Sequence, residues 1–290
     1  MMELFAAEQQ RSRRQSTRFG GVTRRLLGMV AAAGLVVSQL AAPVTAAPSQ
    51  PPSTAVTWKY TALGDSLGTG FLAQRGYVPR YQTYMQTDTG STISLSNLSQ
   101  NGWTSTDLLN ALRTNATFRN AVSSSQVVTW DIGGNDLRAA RDRYKARTCG
   151  GTDNQDCLRA TRVQLKANWD AIVAEILALR STSTTIIRTM DAYNPYVDED
   201  KAADTWAADN GLNDFQAFKP YVDEAAEHVR LSAAANNIPY AKVYAAFNGP
   251  NGDIDPHSKG YLAFDGLHPN DTGHKVIADL LRGLGYAPLK

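Results

Sequence analysis

From residue 55 onward, short runs rich in Val, Ile, Thr and aromatic residues alternate with longer segments whose apolar residues recur three and four apart. The runs Thr57–Leu63, Thr92–Leu98, Gln126–Ile132, Thr184–Met190 and Ala241–Ala245 have the length and composition of strands. Between them, Leu165, Trp169, Ile172, Val173 and Ile176 share one helical face within Arg159–Arg180. Val222, Ala225, Ala226 and Val229 do the same within Pro220–Asn236. In the last helix, Val276, Ile277, Leu280, Leu281 and Leu284 form a stripe, and Asn270 or Asp271 can cap it. Such stripes pack against a sheet.

Alternation over five strands predicts an α/β fold, a parallel sheet with helices on both faces. A (β/α)₈ barrel would need about three more strands. Two segments look inserted. Arg138–Asp156 holds Cys149 and ends beside Cys157, and Asn194–Lys219 is acidic (Asp198, Glu199, Asp200, Asp204, Asp209, Asp214) and carries Trp206, Phe215 and Phe218. An acidic run reads first as solvated surface and second as a substrate lid. Both segments follow strand ends, where they can rim a cleft.

The N-terminal stretch has a different character. Arg11, Arg13, Arg14, Arg18, Arg24 and Arg25 precede an apolar stretch, Leu26 to Leu40, and Val44-Thr45-Ala46 has the small-x-small form of a cleavage site. Basic, apolar and small residues in that order predict a secretory signal over 1–46. The apolar stretch is shorter than the roughly 20 residues that span a bilayer, so no lasting membrane anchor is expected. Thr23-Arg24-Arg25-Leu26-Leu27 suits twin-arginine export as well as the general route. A Pro/Ser linker fills 47–56, and the domain is expected over 57–290, long enough for one sizeable core.

The whole chain has a formal charge of +2. Removing 1–46 takes away six Arg and two Glu, which leaves 23 basic and 25 acidic residues and a charge of −2. The basicity belongs to the leader, and no basic patch interleaved with aromatics suggests a nucleic-acid partner. Cys149 and Cys157, the only cysteines, bracket seven residues and in an exported protein should form a local disulfide.

Candidate chemistry gathers at the predicted strand ends. Ser66 stands in Gly64-Asp65-Ser66-Leu67, just after the first strand. Gln100-Asn101-Gly102, Gly133-Gly134-Asn135-Asp136 and Asp265-Gly266-Leu267-His268-Pro269 follow in order. In open α/β sheets, ligands bind at the carboxyl ends of the strands. A serine hydroxyl attacks only when a base takes its proton, a third group orients that base, and preorganised donors meet the oxyanion. Of four histidines, His228 and His274 fall within helices and suggest surface roles. His257 competes with His268, because it too has a nearby aspartate, Asp255. His268 is favoured, since its loop ends at a helix cap. Gly64-Asp65-Ser66-Leu67-Gly68 also satisfies the Gly-x-Ser-x-Gly elbow of α/β-hydrolases. That family's elbow follows several strands, however, and its acid and histidine sit on separate loops.

On these four blocks the chain resembles the SGNH, or GDSL, hydrolases, in particular secreted bacterial lipases and esterases. The resemblance spans nearly the whole predicted domain. It implies a three-layer α/β/α, flavodoxin-like fold with a five-stranded parallel sheet in the order 2-1-3-4-5. It also implies Ser66 as nucleophile, His268 as base, Asp265 as its orienting acid, and an oxyanion hole from the amides of Ser66 and Gly102 and the side chain of Asn135. Glycine at 102 would let that amide approach substrate closely. Asp65 reads as support for its loop. The expected activity is acyl transfer from an ester to water, with no metal or organic cofactor, by a monomer acting on a lipid, small or acylated-sugar ester. A carbohydrate acetylesterase of the acetylxylan type and a non-catalytic, polysaccharide-binding module on the same fold are the alternatives. Trp103, Tyr193, Trp206 and Phe215 could line a groove or belong to the core.

Overall fold

A computed structural model describes residues 56–208 and 211–290; the predicted leader (1–46) and the linker up to residue 55 lie outside the described residues. The elements run β1 (Thr57–Leu63), α1 (Ser66–Thr69), α2 (Tyr77–Thr89), β2 (Thr92–Asn97), α3 (Ser105–Thr114), α4 (Ala116–Ser124), β3 (Val127–Trp130), α5 (Gly134–Lys145), α6 (Asp156–Leu179), β4 (Ile186–Met190), α7 (Val197–Lys201), α8 (Asp214–Ala235), β5 (Tyr240–Ala241), α9 (Val243–Asn248) and α10 (Asp271–Gly283).

All five strands are parallel, in the order β2-β1-β3-β4-β5. The first strand has the predicted bounds because its alternation is clean. Trp58, Tyr60 and Ala62 feed a core layer with Tyr77, Tyr81 and Met85 of α2 and Ile277 and Leu281 of α10. Leu63, Val128 and Trp130 face the other layer, with Leu108 and Leu112 of α3, Trp169 and Ile172 of α6 and Val229 of α8. The strand order reverses between β1 and β3, so the loops after these two strands open a crevice at the switch point.

Where sequence and structure differ, specific hydrogen bonds decide. Ala241–Ala245 is not a five-residue strand: β5 stops at Ala241, and α9 starts two residues later. The buried Asp191 carboxylate accepts the Tyr244 amide at 2.8 Å and holds that helix end. The second long amphipathic helix begins at Asp214, well before Pro220, because Asn213 and Gln216 exchange side chain-to-backbone bonds of 2.9 and 3.0 Å as a capping box. Phe215 and Phe218 are therefore buried helical residues.

The acidic segment is not simply solvated surface. Asp200 and Asp214 are buried, and Arg141 of α5 binds Asp200 at 2.5 Å and Glu199 at 2.7 Å while Lys145 binds Asp214 at 2.9 Å. The two segments predicted as insertions are thus riveted together, with the Arg141 guanidinium 3.7 Å above the Tyr196 ring. Much of the first is α5 itself, and Cys149 and Cys157 are disulfide-bonded at its end. His274 is buried rather than on the surface, since it lies on the inner stripe of α10 with Ile277, Ala278 and Leu281.

Candidate active site

The turn from β1 into α1 has little freedom. Gly64 adopts a φ of +143°, and a Cβ there would lie 2.5 Å from the Asp131 carboxylate and carbonyl. A Cβ on Gly68 would meet Ser99 Oγ. Asp65 caps α1 by accepting the Leu67 amide at 2.8 Å, the loop-supporting role expected of it. Ser66 emerges at the first position of the helix.

The loop carrying Asp265 and His268 is stapled at its base. Leu262 and Pro269 form an antiparallel bridge, and the Ala263 amide donates to the His268 carbonyl at 2.7 Å. Asn270 caps α10 and also donates its side-chain amide to the carbonyls of Gly260 and Leu262 at 2.9 Å. From the end of β4, the Tyr193 hydroxyl donates to the Leu267 carbonyl at 2.5 Å. The Phe71 ring packs edge-on against the imidazole, with centroids 4.9 Å apart.

These supports bring the predicted residues together. His268 Nε2 lies 2.9 Å from Ser66 Oγ, and its Nδ1 lies 2.5 Å from Asp265 Oδ2. The second Asp265 oxygen accepts the amides of Leu267 and His268, both at 3.1 Å. Partial burial pushes the Asp265 carboxyl up, but the His268 ring bond and the two amides outweigh it and hold the group below the usual carboxylate range. The arrangement can draw a proton from the serine while a fixed carboxylate faces the other side of the ring.

Asn135 follows β3, at the start of α5. Its Nδ2 donates to the Trp103 carbonyl at 2.9 Å and to Asp65 Oδ2 at 3.3 Å. Gly102 stands across the crevice in the loop after β2, which is anchored by the Gln100 amide on the Gly64 carbonyl at 3.0 Å. Among the described residues, the amides of Ser66 and Gly102 have no partner. Gly102 has a φ of +81°, while a Cβ there would touch nothing within 4 Å. That backbone conformation by itself favours glycine at this position.

Of the other candidates, His257 does pair with Asp255, its Nδ1 2.6 Å from Oδ1, but its ring is half exposed and has no contact with Ser66. His228 binds Asp170 on the surface. Trp103 stacks on Phe118 and Trp206 packs near the disulfide, so of the four aromatic candidates only Tyr193 lines the cleft. That cleft lies between Ser66, His268 and Asn135 on one side and Ile132, Ala192, Pro195 and Leu267 on the other.

Sequence reasoning missed the floor. Asp131, one residue past β3, accepts the Asp65 amide at 3.1 Å and the Tyr77 hydroxyl at 2.5 Å. Burial, then the neighbouring Asp65 charge, hold Asp131 well above the ordinary range, and burial pushes Asp65 up to about 6. Asp191, also in the lining, is raised by burial to about 7. Their only sequence signal is an aspartate just past an apolar strand.

Residues 62–276 match the family model described as the GDSL-like lipase/acylhydrolase family. The chain is 27% identical over 240 residues to the spore germination lipase LipC of Bacillus licheniformis, an alignment covering 81% of this chain and all of the relative. Among solved structures, a lipase from a goat rumen metagenome superposes with a TM-score of 0.65 at 23% identity, over 80% of this chain and all of that one. An acetylxylan esterase of Geobacillus stearothermophilus does so with a TM-score of 0.55 at 20% identity, over 80% of this chain and 95% of that one. These last two likenesses are of fold. With a family match across the span that carries every block of the site, the chain belongs to the GDSL-like lipase/acylhydrolase family and is a carboxylic ester hydrolase.

Proposed function

We propose that the protein is a secreted serine esterase of lipase type, working through Ser66, His268 and Asp265 as an acyl-enzyme hydrolase. The observation that carries this reading is the unbroken line Ser66 Oγ–His268 Nε2 (2.9 Å) and His268 Nδ1–Asp265 Oδ2 (2.5 Å). His268 takes the Ser66 proton as the oxygen attacks the ester carbonyl, and Asp265 stabilises the imidazolium that results. The carbonyl oxygen, now anionic, is met by the amides of Ser66 and Gly102 and by Asn135. The imidazolium then gives its proton to the leaving alcohol. Water activated by the same imidazole releases the acid and restores Ser66. The sequence needs no metal or organic cofactor.

Export in the form of residues 47–290 is part of this proposal. The basic, apolar and small order of the first 46 residues supports it, as does a disulfide, which persists in oxidising compartments. No described helix is long and apolar enough to cross a membrane. The apolar wall formed by Ile132, Ala192, Pro195 and Leu267 favours a lipid or small ester over a sugar acetate. Nitrophenyl acetate hydrolysis by wild type and by Ser66→Ala tests the assignment. The variant should lose turnover by about 10³ or more, and equal rates would return the chain to the reading of a non-catalytic module.

A further inference from the structure

Exposed apolar side chains collect around His268. Among the described residues seven large apolar side chains are exposed, and three of them are Phe71, Leu72 and Phe264. Phe71 and Leu72 sit on the loop packed against the His268 ring, and Phe264 sits on the loop that carries it. The exposed phenylalanines of the described residues are both here. Single apolar residues scattered over a surface need no explanation, whereas a group gathered at one site marks a contact surface.

Both loops are held in place. The Ala263 carbonyl accepts the Gly266 amide at 3.0 Å, which puts Phe264 and Asp265 in the middle of a tight turn. Asp265 is committed to His268, while its neighbour Phe264 is 92% exposed. In the other loop, a Cβ on Gly70 would lie 2.7 Å from the Gly76 Cα, so the segment between them is pinched at its neck. Asp271 accepts the amides of Gln74 and Arg75 at 3.1 and 3.0 Å. Phe71 touches the imidazole and still stays 42% exposed. Leu72, 37% exposed, has a φ of +63°, a left-handed backbone that suits glycine or asparagine better. Neither burial nor backbone preference calls for leucine there.

Charge and area identify what covers this rim. No residue from Ser66 to Gln74 or from Gly260 to Phe264 is charged, so an ionic partner finds nothing to pair with. Together the three side chains expose on the order of 300 Å². A stable protein partner, a second copy of this chain included, covers roughly 800 Å² on each side. A fluid apolar phase asks only that the side chains leave water. We propose that Phe71, Leu72 and Phe264 dock the protein on the surface of an uncharged ester lipid, with the mouth of the cleft against it. The proposal rests on Ser66 and His268 as the reacting pair, since the rim then surrounds the point where the ester is consumed.

Partition of the protein onto a tributyrin emulsion tests it, with Ser66→Ala as the background so that the lipid is not consumed. The Ser66→Ala protein should collect with the droplets on centrifugation. Adding Phe264→Ser should weaken that partition about tenfold or more, and adding Leu72→Asn, which suits the backbone, about threefold. In the protein with Ser66 intact, Phe264→Ser should lower the ratio of emulsified tributyrin turnover to dissolved nitrophenyl acetate turnover about fivefold or more. Equal partition by the folded variants overturns the proposal. So does adsorption confined to phosphatidylglycerol vesicles and abolished by salt, which would make the contact ionic. A dimer in sedimentation velocity that Phe264→Ser dissociates would assign the rim to a second copy and overturn it too. Full acetate hydrolysis by Ser66→Ala would instead unseat the nucleophile, a result that partition onto droplets cannot mimic.

Discussion

Asp131 Oδ2 accepts the Tyr77 hydroxyl proton at 2.5 Å, deep beneath the turn that presents Ser66. The other oxygen of the same carboxyl takes the Asp65 amide, so one buried acid ties the end of β3 to the turn after β1. Burial and the nearby Asp65 charge keep Asp131 protonated far above the pH at which an unfolded aspartate ionises. A raised folded pKa gives stability that is full below the unfolded value and is lost as pH rises toward the folded one. Asp131→Asn keeps a neutral hydrogen-bonding group and removes that loss. Relative to wild type, the variant should gain stability between pH 5 and pH 8, as read by urea unfolding. Parallel pH curves for the two proteins would show that Asp131 is ionised in the fold.

His274 works in the opposite direction. Its Nδ1 accepts the Tyr77 amide at 3.2 Å, so the neutral ring is the form the fold uses. Burial, with the Arg80 charge next, lowers it to about 4, and Asp271 and His268 are the other charged or titratable groups that act on it. A lowered pKa on a base means stability that is full above the unfolded value and is lost as pH falls through the folded one. His274→Asn places an oxygen near the Nδ1 position. From pH 6.5 down to pH 4 it should spare the protein a loss of roughly 3 kcal/mol that wild type suffers. Comparing the two proteins cancels Asp65 and Asp191, whose raised values act in the same window.

Asn135 holds both of its amide protons in the resting site, one on Trp103 at 2.9 Å and one on Asp65 at 3.3 Å. The longer bond is the one an oxyanion can take over. Asn135→Ala should lower kcat by about 10² to 10³, with a far smaller change in KM, since this bond strengthens only as charge develops. Steady-state kinetics on a soluble ester measures both quantities. An unchanged kcat removes Asn135 from the oxyanion site.

Two Asp–His pairs compete in the sequence, and only one touches the serine. His257 pairs with Asp255, whose second oxygen accepts the Asp198 amide at 2.9 Å, while its half-exposed ring faces Gly266. His257→Ala should keep activity within about threefold of wild type, whereas His268→Ala should lose about 10³ or more. The reverse pattern would reassign the base.

The last helix shows how much a local pattern carries. Its apolar stripe and its Asn270 cap were legible because both follow from spacing within a few residues. The buried histidine on that same stripe was misread, since a polar side chain on an inner face signals nothing until its partner is known. Asp131 and Tyr77 were invisible for a related reason. They lie 54 positions apart, and an aspartate past a strand end resembles any turn residue.

Strand alternation, helical spacing and the four ordered motifs determined the α/β class, the bounds of β1 and the identity of the Ser66 turn and the His268 loop. These features depend on neighbours along the chain, so the chain alone encodes them. Only the folded protein decided that residues 202 positions apart meet at 2.9 Å and that His257 stays away from Ser66. Such relations depend on strand register and side-chain packing across the sheet, which no local periodicity records.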